Sequence, residues 1–434
     1  MFYSHVVDDA LAAKVNGGLS QAALDRELHR ATPALDKIRR WHDDGTLPLL
    51  KLPSRRDDIE ALKPYVERFA RFEHVVVMGS GGSSLSGKTL VALKDLGFGP
   101  APGRPRIHFM DNVDPATFSA MADRLPLDRT GFVPISKSGG TPETLAATFT
   151  ALGALEARIG KAAIKNQMLA VTEAADNPLR RLMMRLGCTI LDHDPKIGGR
   201  YSALSLVGML PAMIAGVDGA AVREGAASVL GPVLAAKDTR GLAPAIGAAL
   251  SVGLSQERGT NITVLMPYVD RLETFAFWYR QIWAESLGKQ GKGTTPVRAM
   301  GTIDQHSQVQ LYLGGPRDKL YTFIIQDTAG QGIELSPAVL GGDKALDYLD
   351  GHTMGDLLLA EADATAATLA KDGRPVRVIR VKTIDERVMG ALMMHYMLET
   401  MFAAELWGVD AFDQPAVEDG KVFTRQYLSQ RRKS

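Results

Sequence analysis

Short apolar runs alternate with longer stretches of helical periodicity along most of this chain. HVVVM (74–78) is a β-branched run that gives way to glycines and then to a helical pattern. IHFMD (107–111), GFVPIS (131–136), QMLAVT (167–172) and CTILD (188–192) repeat the scheme. After a helical bridge near 203–255 it resumes with NITVLM (261–266), VRAMG (297–301), LYTFII (320–325) and VRVIRV (376–381). Short apolar strands separated by helices predict parallel sheets covered on both faces. Such sheets place ligands at the carboxyl ends of their strands. Residues 1–50 read as amphipathic helical segments forming an arm or cap. A last helix at about 384–406 leads to an irregular tail with a basic, solvated end, RRKS. The expected organisation is a helical arm (1–50), a first α/β domain (51–222), a second (223–385) and a C-terminal helix and tail (386–434).

Composition narrows the function classes. A chain of 434 residues suggests two to four domains at roughly 100–200 residues each. With 50 basic and 49 acidic residues the formal net charge is +1. The surface as a whole then has no attraction for nucleic acid or an anionic membrane, and a small anionic substrate needs a local site. Cys188 is the single cysteine, so the fold needs no oxidising compartment. Its setting, LGCTILD, reads as the start of a buried strand and marks it as structural. The N-terminus lacks a basic segment before an apolar one, so no signal peptide is expected. The most apolar helical run, 203–217, contains Pro211 and is shorter than the ~20 residues of a membrane span. A cytoplasmic protein is expected.

Several loops carry candidate chemistry, each with a plainer alternative. In GSGGSSLSGKT (79–89), Gly82, Gly87, Lys88 and Thr89 satisfy the G-x-x-x-x-G-K-[ST] pattern after a strand, so an NTPase is a rival. However, Gly79-Ser80-Gly81 comes first, where a P-loop strand enters directly at its first glycine. The same loop falls short of a dinucleotide fingerprint, with Ser84 at the third glycine position. It also reads as a ligand-free turn. In SKSGGTPET (136–144), the hydroxyls of Ser136, Ser138 and Thr141 surround Gly139 and Gly140 just before a helix. That arrangement suits an anion. It also suits a plain N-cap, with Thr141 capping, Pro142 at N1 and Glu143 in the first turn.

Arg200, after two glycines in GGRYSALS, has access to a crevice or simply solvates a surface. In FWYRQIWAESLGKQG, helical spacing puts Gln281, Glu285 and Gly288 on one face. Glu285 suits base catalysis there, or pairs with Lys289 at i,i+4. His306 sits at a strand-to-helix corner beside Asp304, Gln305 and Ser307, a candidate acid or base. GVDAFDQPAVEDGK (408–421) combines turn residues with Phe412, Gln414 and Lys421. No set shows metal-ligand spacing, and the contiguous Asp192-His193-Asp194 reads as structural.

Taken in order, these segments resemble the signatures of the glucose-6-phosphate isomerase family, from about residue 74 to Lys421. WAESLGK, DQHSQVQL and FDQPAVEDGK are more specific than the glycine-rich loops. The resemblance implies a fold of two tandem sugar-isomerase (SIS) domains, each a three-layer α/β/α sandwich with a mainly parallel sheet. It implies an aldose–ketose isomerase interconverting glucose 6-phosphate and fructose 6-phosphate through a cis-enediolate, with neither metal nor cofactor. Gly82, Ser83, Ser136, Lys137, Ser138 and Thr141 would bind the phosphate. Glu285 would move the proton between C1 and C2, and Arg200 would stabilise the enediolate. His306 would assist ring opening with Lys421 near the ring oxygen, while Gln281 and Gln414 line the sugar site. The family's histidine comes from the neighbouring subunit, so a homodimer is implied. The pattern is that of the shorter bacterial members. Gly140 and Ser138 stand where relatives often have threonine, and Ala416 where glycine is common. The rivals are a non-catalytic sugar-phosphate sensor, which needs no Glu285–His306–Lys421 set, a P-loop NTPase, and an isomerase acting also on mannose 6-phosphate.

Overall fold

The computed structural model describes residues 2–336, 339 and 343–431. Strand β1 (Tyr3–Val6) opens the chain. The first α/β unit supplies β2 (His74–Met78), β3 (Arg106–Met110), β4 (Thr130–Pro134), β5 (Leu169–Glu173) and β6 (Thr189–His193). Parallel pairing gives a β3–β2–β4 sheet and a β5–β6 pair. Parallel bridges from Phe132 to Met168 and from Ile135 to Val171 join the two. The second unit supplies β7 (Ile262–Pro267), β8 (Thr295–Arg298), β9 (Lys319–Gln326) and β10 (Val376–Val381). Its sheet runs β1–β10–β9–β7–β8 and is parallel except at the edge strand β1.

The inner strands are largely apolar and buried because both faces of each sheet are covered there, and successive side chains point to opposite faces. Val75, Val77, Val133 and Ile135 turn to a central core that continues through Leu265, Leu320, Ile324 and Ile379 of the second unit. Val76, Met78, Phe132 and Ala170 face a second core on the outside of the first sheet. Val264, Met266, Phe323 and Val378 face a third on the outside of the second sheet. Helices fill all three layers, which gives the two mainly parallel α/β/α units that the alternation predicts. The helix Glu386–Trp407 runs through the central core and is apolar nearly all round, as a fully enclosed helix must be. Among the described residues no helix is long and apolar enough to cross a membrane.

The structure departs from the sequence reading at both ends. The N-terminal arm is not purely helical, because Tyr3–Val6 pairs antiparallel with Val378–Val381. YSHV is too short and polar to announce itself as a strand, and its partner lies at the far end of the chain. The tail is not irregular, since residues 418–431 form a helix. The boundary expected at 222/223 falls inside the helix Gly219–Ala235.

A buried polar network ties β1 into the core. Arg377 on β10 donates Nη2 and Nη1 to Glu399 at 2.7 and 3.1 Å, and Nε to Thr322 at 2.7 Å. His395 Nε2 lies 2.9 Å from the same carboxylate, and its Nδ1 lies 2.6 Å from the Tyr3 hydroxyl. The consistent assignment is Tyr3 O–H to Nδ1 and Nε2–H to Glu399, with a neutral imidazole. Burial holds His395 below its ordinary range. Burial raises Glu399, but Arg377 and His395 outweigh it and bring its pKa to about 2. Cys188 is buried, which pushes its thiol up to about 11, in keeping with a structural role.

Candidate active site

All strands of the first sheet run the same way, so the loops after β2, β4 and β6 share one edge. The loop after β2 turns at once into the helix Gly82–Val91. A Cβ on Gly82 would stand 2.0 Å from the carbonyl oxygen of Gly199, so only glycine lets the 199–204 turn pack here. Ser202 Oγ bonds to the Gly199 carbonyl at 2.7 Å and to Ser86 at 3.1 Å, closing the same contact. This accounts for the glycine-rich motif without a nucleotide. In a P-loop the Lys-Thr pair opens the helix beside the phosphates, whereas here the helix already begins at Gly82. Lys88 instead pairs with Asp111 at 3.1 Å, and Thr89 bonds to the carbonyls of Leu85 and Thr274. Ser83, half-buried, sits in the first turn of that helix.

The loop after β4 is clamped from beneath. Ser136 N–H donates to the Val171 carbonyl, and the Lys137 carbonyl accepts from Glu173 N–H and the Thr172 hydroxyl. Gly139 has φ +61°, and a Cβ there would collide with Asn177 Oδ1 at 1.8 Å. Asn177 is buried, caps the next helix through Arg180 N–H, and donates to Thr172 and the carbonyls of Glu173 and Ala175. The loop stands before an 18-residue helix, Pro142–Ile159. Thr141 occupies the N-cap position, but its hydroxyl makes no cap bond and turns to Ser136 Oγ at 2.9 Å. The side-chain cap read from the sequence is therefore not made. Ser138 is exposed and accepts from Gly140 N–H at 3.3 Å. A helix N-terminus with hydroxyls gathered before it is a fitting anion cradle.

Beside these loops lies a tighter cluster. Arg200, from the turn after β6, is buried with 4% exposure. Its Nε donates to Ser286 Oγ at 2.8 Å and its Nη2 to the carbonyls of Ala411 and Asp413 at 2.6 and 2.9 Å. Nη1 donates to Gln414 Oε1 at 3.2 Å and stands 3.5 Å from Glu285 Oε2. The other Glu285 oxygen accepts from Gln281 Nε2 at 3.0 Å. The Glu285 side chain remains 34% exposed, so the carboxylate is held from behind and open in front. The alternative pairing with Lys289 is not made. Lys289 pairs with Asp413 at 2.5 Å and donates to the Asp410 carbonyl. Burial pushes Tyr201 up to about 12, against the opposing pull of Ser286 and Arg200.

The structure thus brings Arg200, Glu285, Gln281 and Gln414 into one group linked by two hydrogen bonds and an ion pair, next to the Gly82 loop that packs on residues 199–200. It does not bring His306 there. The helix Glu273–Leu287 starts at the carboxyl end of β8, where Glu273 pairs with Arg298 at 2.6 Å. Glu285 lies near its other end, roughly 18 Å away at 1.5 Å per residue. His306 follows the carboxyl end of β8, exposed on a short turn. Asp304 frames that turn by accepting from Met300 N–H at 2.6 Å and from Ser307 at 2.5 Å. Lys421 lies on the exposed helix 418–431. The sequence reading passed over Ser286, Tyr201 and Asn177. Only the position of Ser286, directly after Glu285, offered a hint.

A family model described as phosphoglucose isomerase matches residues 59–324, more than half of the chain. A glucose-6-phosphate isomerase of Rubrobacter xylanophilus is 37% identical over 420 residues, covering 95% of each chain. A crystal structure described as a hypothetical protein from Thermus thermophilus superposes with a TM-score of 0.86 at 33% identity, over 98% of this chain and 99% of the other. A glucose-6-phosphate isomerase structure from Chlamydia trachomatis shares the fold, with a TM-score of 0.75 at 24% identity over 87% of this chain and 74% of that one.

Proposed function

The chain belongs to the phosphoglucose isomerase family, and we infer that it is an aldose–ketose isomerase interconverting glucose 6-phosphate and fructose 6-phosphate through a cis-enediolate. The observation that carries the residue roles is the Glu285 carboxylate, held by Gln281 and facing a fixed guanidinium at 3.5 Å. In the open-chain aldose, Glu285 takes the proton from C2. The C2–H electrons form the C1–C2 double bond and the carbonyl electrons move onto O1. Arg200 faces the resulting anion without reorganising, because its other donors are already committed. The O2 proton passes to O1, Glu285 returns its proton to C1, and C2 becomes the carbonyl. A carboxylate is suited to this because one small base reaches both carbons in turn. Ser83, Ser136, Ser138 and Thr141, with the backbone of Gly82 and Lys137, hold the phosphate and so orient the reacting end.

His306 opens the ring, and it reaches the site from a second copy of the chain. Its exposure and its place at the opposite end of the helix that carries Glu285 support that reading. Lys421 completes the ring-opening pair from the C-terminal helix. The homodimer works in the cytoplasm. A coupled assay of fructose 6-phosphate conversion to glucose 6-phosphate, run with chelator present, is expected to show turnover. Its absence with folded protein would overturn the assignment.

A further inference from the structure

A guanidinium carries five N–H donors in a rigid planar fork, and at Arg200 every one has a direction. Two on Nη2 go to the backbone carbonyls of Ala411 and Asp413. Nη1 meets Gln414, whose side chain is exposed, and Glu285. Nε donates to the Ser286 hydroxyl at 2.8 Å, and the Tyr201 hydroxyl also acts on this guanidinium. Ser286 is completely buried, whereas the Glu285 side chain keeps 34% exposure. A second buried hydroxyl, that of Tyr201, stands 3.1 Å from Ser286 Oγ. Because Nε–H only donates, Ser286 Oγ must accept from it, and Tyr201 then restricts the rotation of the serine hydroxyl.

Ser286 follows Glu285 directly on the helix Glu273–Leu287. One helix end therefore carries both the base and the anchor of the cation that faces it. We propose that Ser286 is a positioning residue for Arg200, which sets the plane of the guanidinium relative to the Glu285 carboxylate without touching substrate. Backbone carbonyls on the tail segment alone leave the fork free to pivot about the Nη2 edge. Ser286 removes that pivot and couples Arg200 to the element that carries the base. The inference rests on the reading of Arg200 as the group facing the enediolate.

The test is a double-mutant cycle of Ser286→Ala and Arg200→Ala, assayed for fructose 6-phosphate turnover. Ser286→Ala is expected to lower kcat about 10- to 100-fold, the scale of a misplaced catalytic group, while KM changes by about 2-fold or less because ground-state binding is untouched. The loss should vanish when Arg200 is already alanine, as expected for groups acting through one another. Affinity for a sugar-phosphate analogue with a planar anionic group at C1–C2 should fall with kcat/KM. Wild-type kcat in Ser286→Ala overturns the proposal, as does a loss that persists undiminished in the Arg200→Ala background. If Arg200→Ala itself keeps wild-type kcat, the role of Arg200 fails instead. Should Ser286→Ala not fold, Ser286→Cys, with a similar volume and a weak acceptor, must show the same kcat-selective loss; unchanged kcat in it overturns the proposal.

Discussion

Nη1 of Arg200 stands 3.5 Å from Oε2 of Glu285, although the first comes from the turn after β6 and the second from the helix before β8. A closed charge-assisted hydrogen bond is shorter, about 2.7–2.9 Å. The pair is therefore aligned without being locked, and both groups keep capacity for a ligand. Glu285→Gln keeps the Gln281 contact and the shape of the site but removes the base. Turnover should fall by roughly 10²–10⁴-fold, while fructose 6-phosphate still protects the protein against thermal unfolding. Retained turnover would sink the role given to Glu285.

Lys88 pairs with Asp111 across a partly exposed surface, at 39% and 33% side-chain exposure. Lys88→Ala should leave kcat and KM close to wild type, and stability should drop by only about 0.2–1 kcal/mol. Neither variant nor wild type should be stabilised by nucleotide with magnesium. Loss of activity in Lys88→Ala would revive the nucleotide-binding reading of the 79–89 loop.

Glu285→Gln and His306→Gln should each be inactive alone. Mixed from unfolded chains and refolded together, they test where His306 acts. If His306 serves the partner's site, a mixed dimer has one site with both wild-type groups and one with neither. Random pairing then restores about a quarter of wild-type activity, half the dimers having half their sites intact. No recovery in dimers shown to be mixed would place His306 in its own chain's site.

The Arg377–Glu399–His395–Tyr3 network should make the fold acid-sensitive. Burial holds His395, His193 and His108 below the ordinary 6.5. The unfolded chain therefore binds more protons than the folded one below about pH 6.5, and stability falls as pH falls. Glu399 adds to the loss as pH drops from its ordinary 4.5 towards about 2. Urea midpoints should thus decline from pH 7 to pH 4, and a flat profile would contradict the assignment. At neutral pH, Glu399→Ala strands a buried guanidinium and should cost about 3–5 kcal/mol. Tyr3→Phe leaves one imidazole nitrogen unpaired and should cost about 1–3 kcal/mol.

The inner strands between 74 and 381 were legible because each is a short, largely buried apolar run, so its signal is local; the edge strand Thr295–Arg298 is partly exposed and starts two residues before the run expected at 297–301. The glycine-and-hydroxyl loop before the helix Pro142–Ile159 was legible as a candidate anion site, since such loops suit an anion wherever they occur. Thr141 shows the limit. Its position predicted a side-chain cap, but Ser136, brought within 2.9 Å by the loop, draws the hydroxyl away. The P-loop match has another origin, because the close approach of Gly199 by itself requires glycine at position 82.

Element type, strand order along the chain and the residue types fit for proton transfer were determined by the sequence itself, since they depend on propensity, period and side-chain chemistry. Which of those residues meet was decided only by the tertiary structure. Arg200 is fixed by groups 85 to 214 positions away, and Lys289 is turned from Glu285 towards Asp413. Hydrogen bonds have a reach of about 3 Å and strict direction, so sequence spacing carries no information about partners that packing alone brings together.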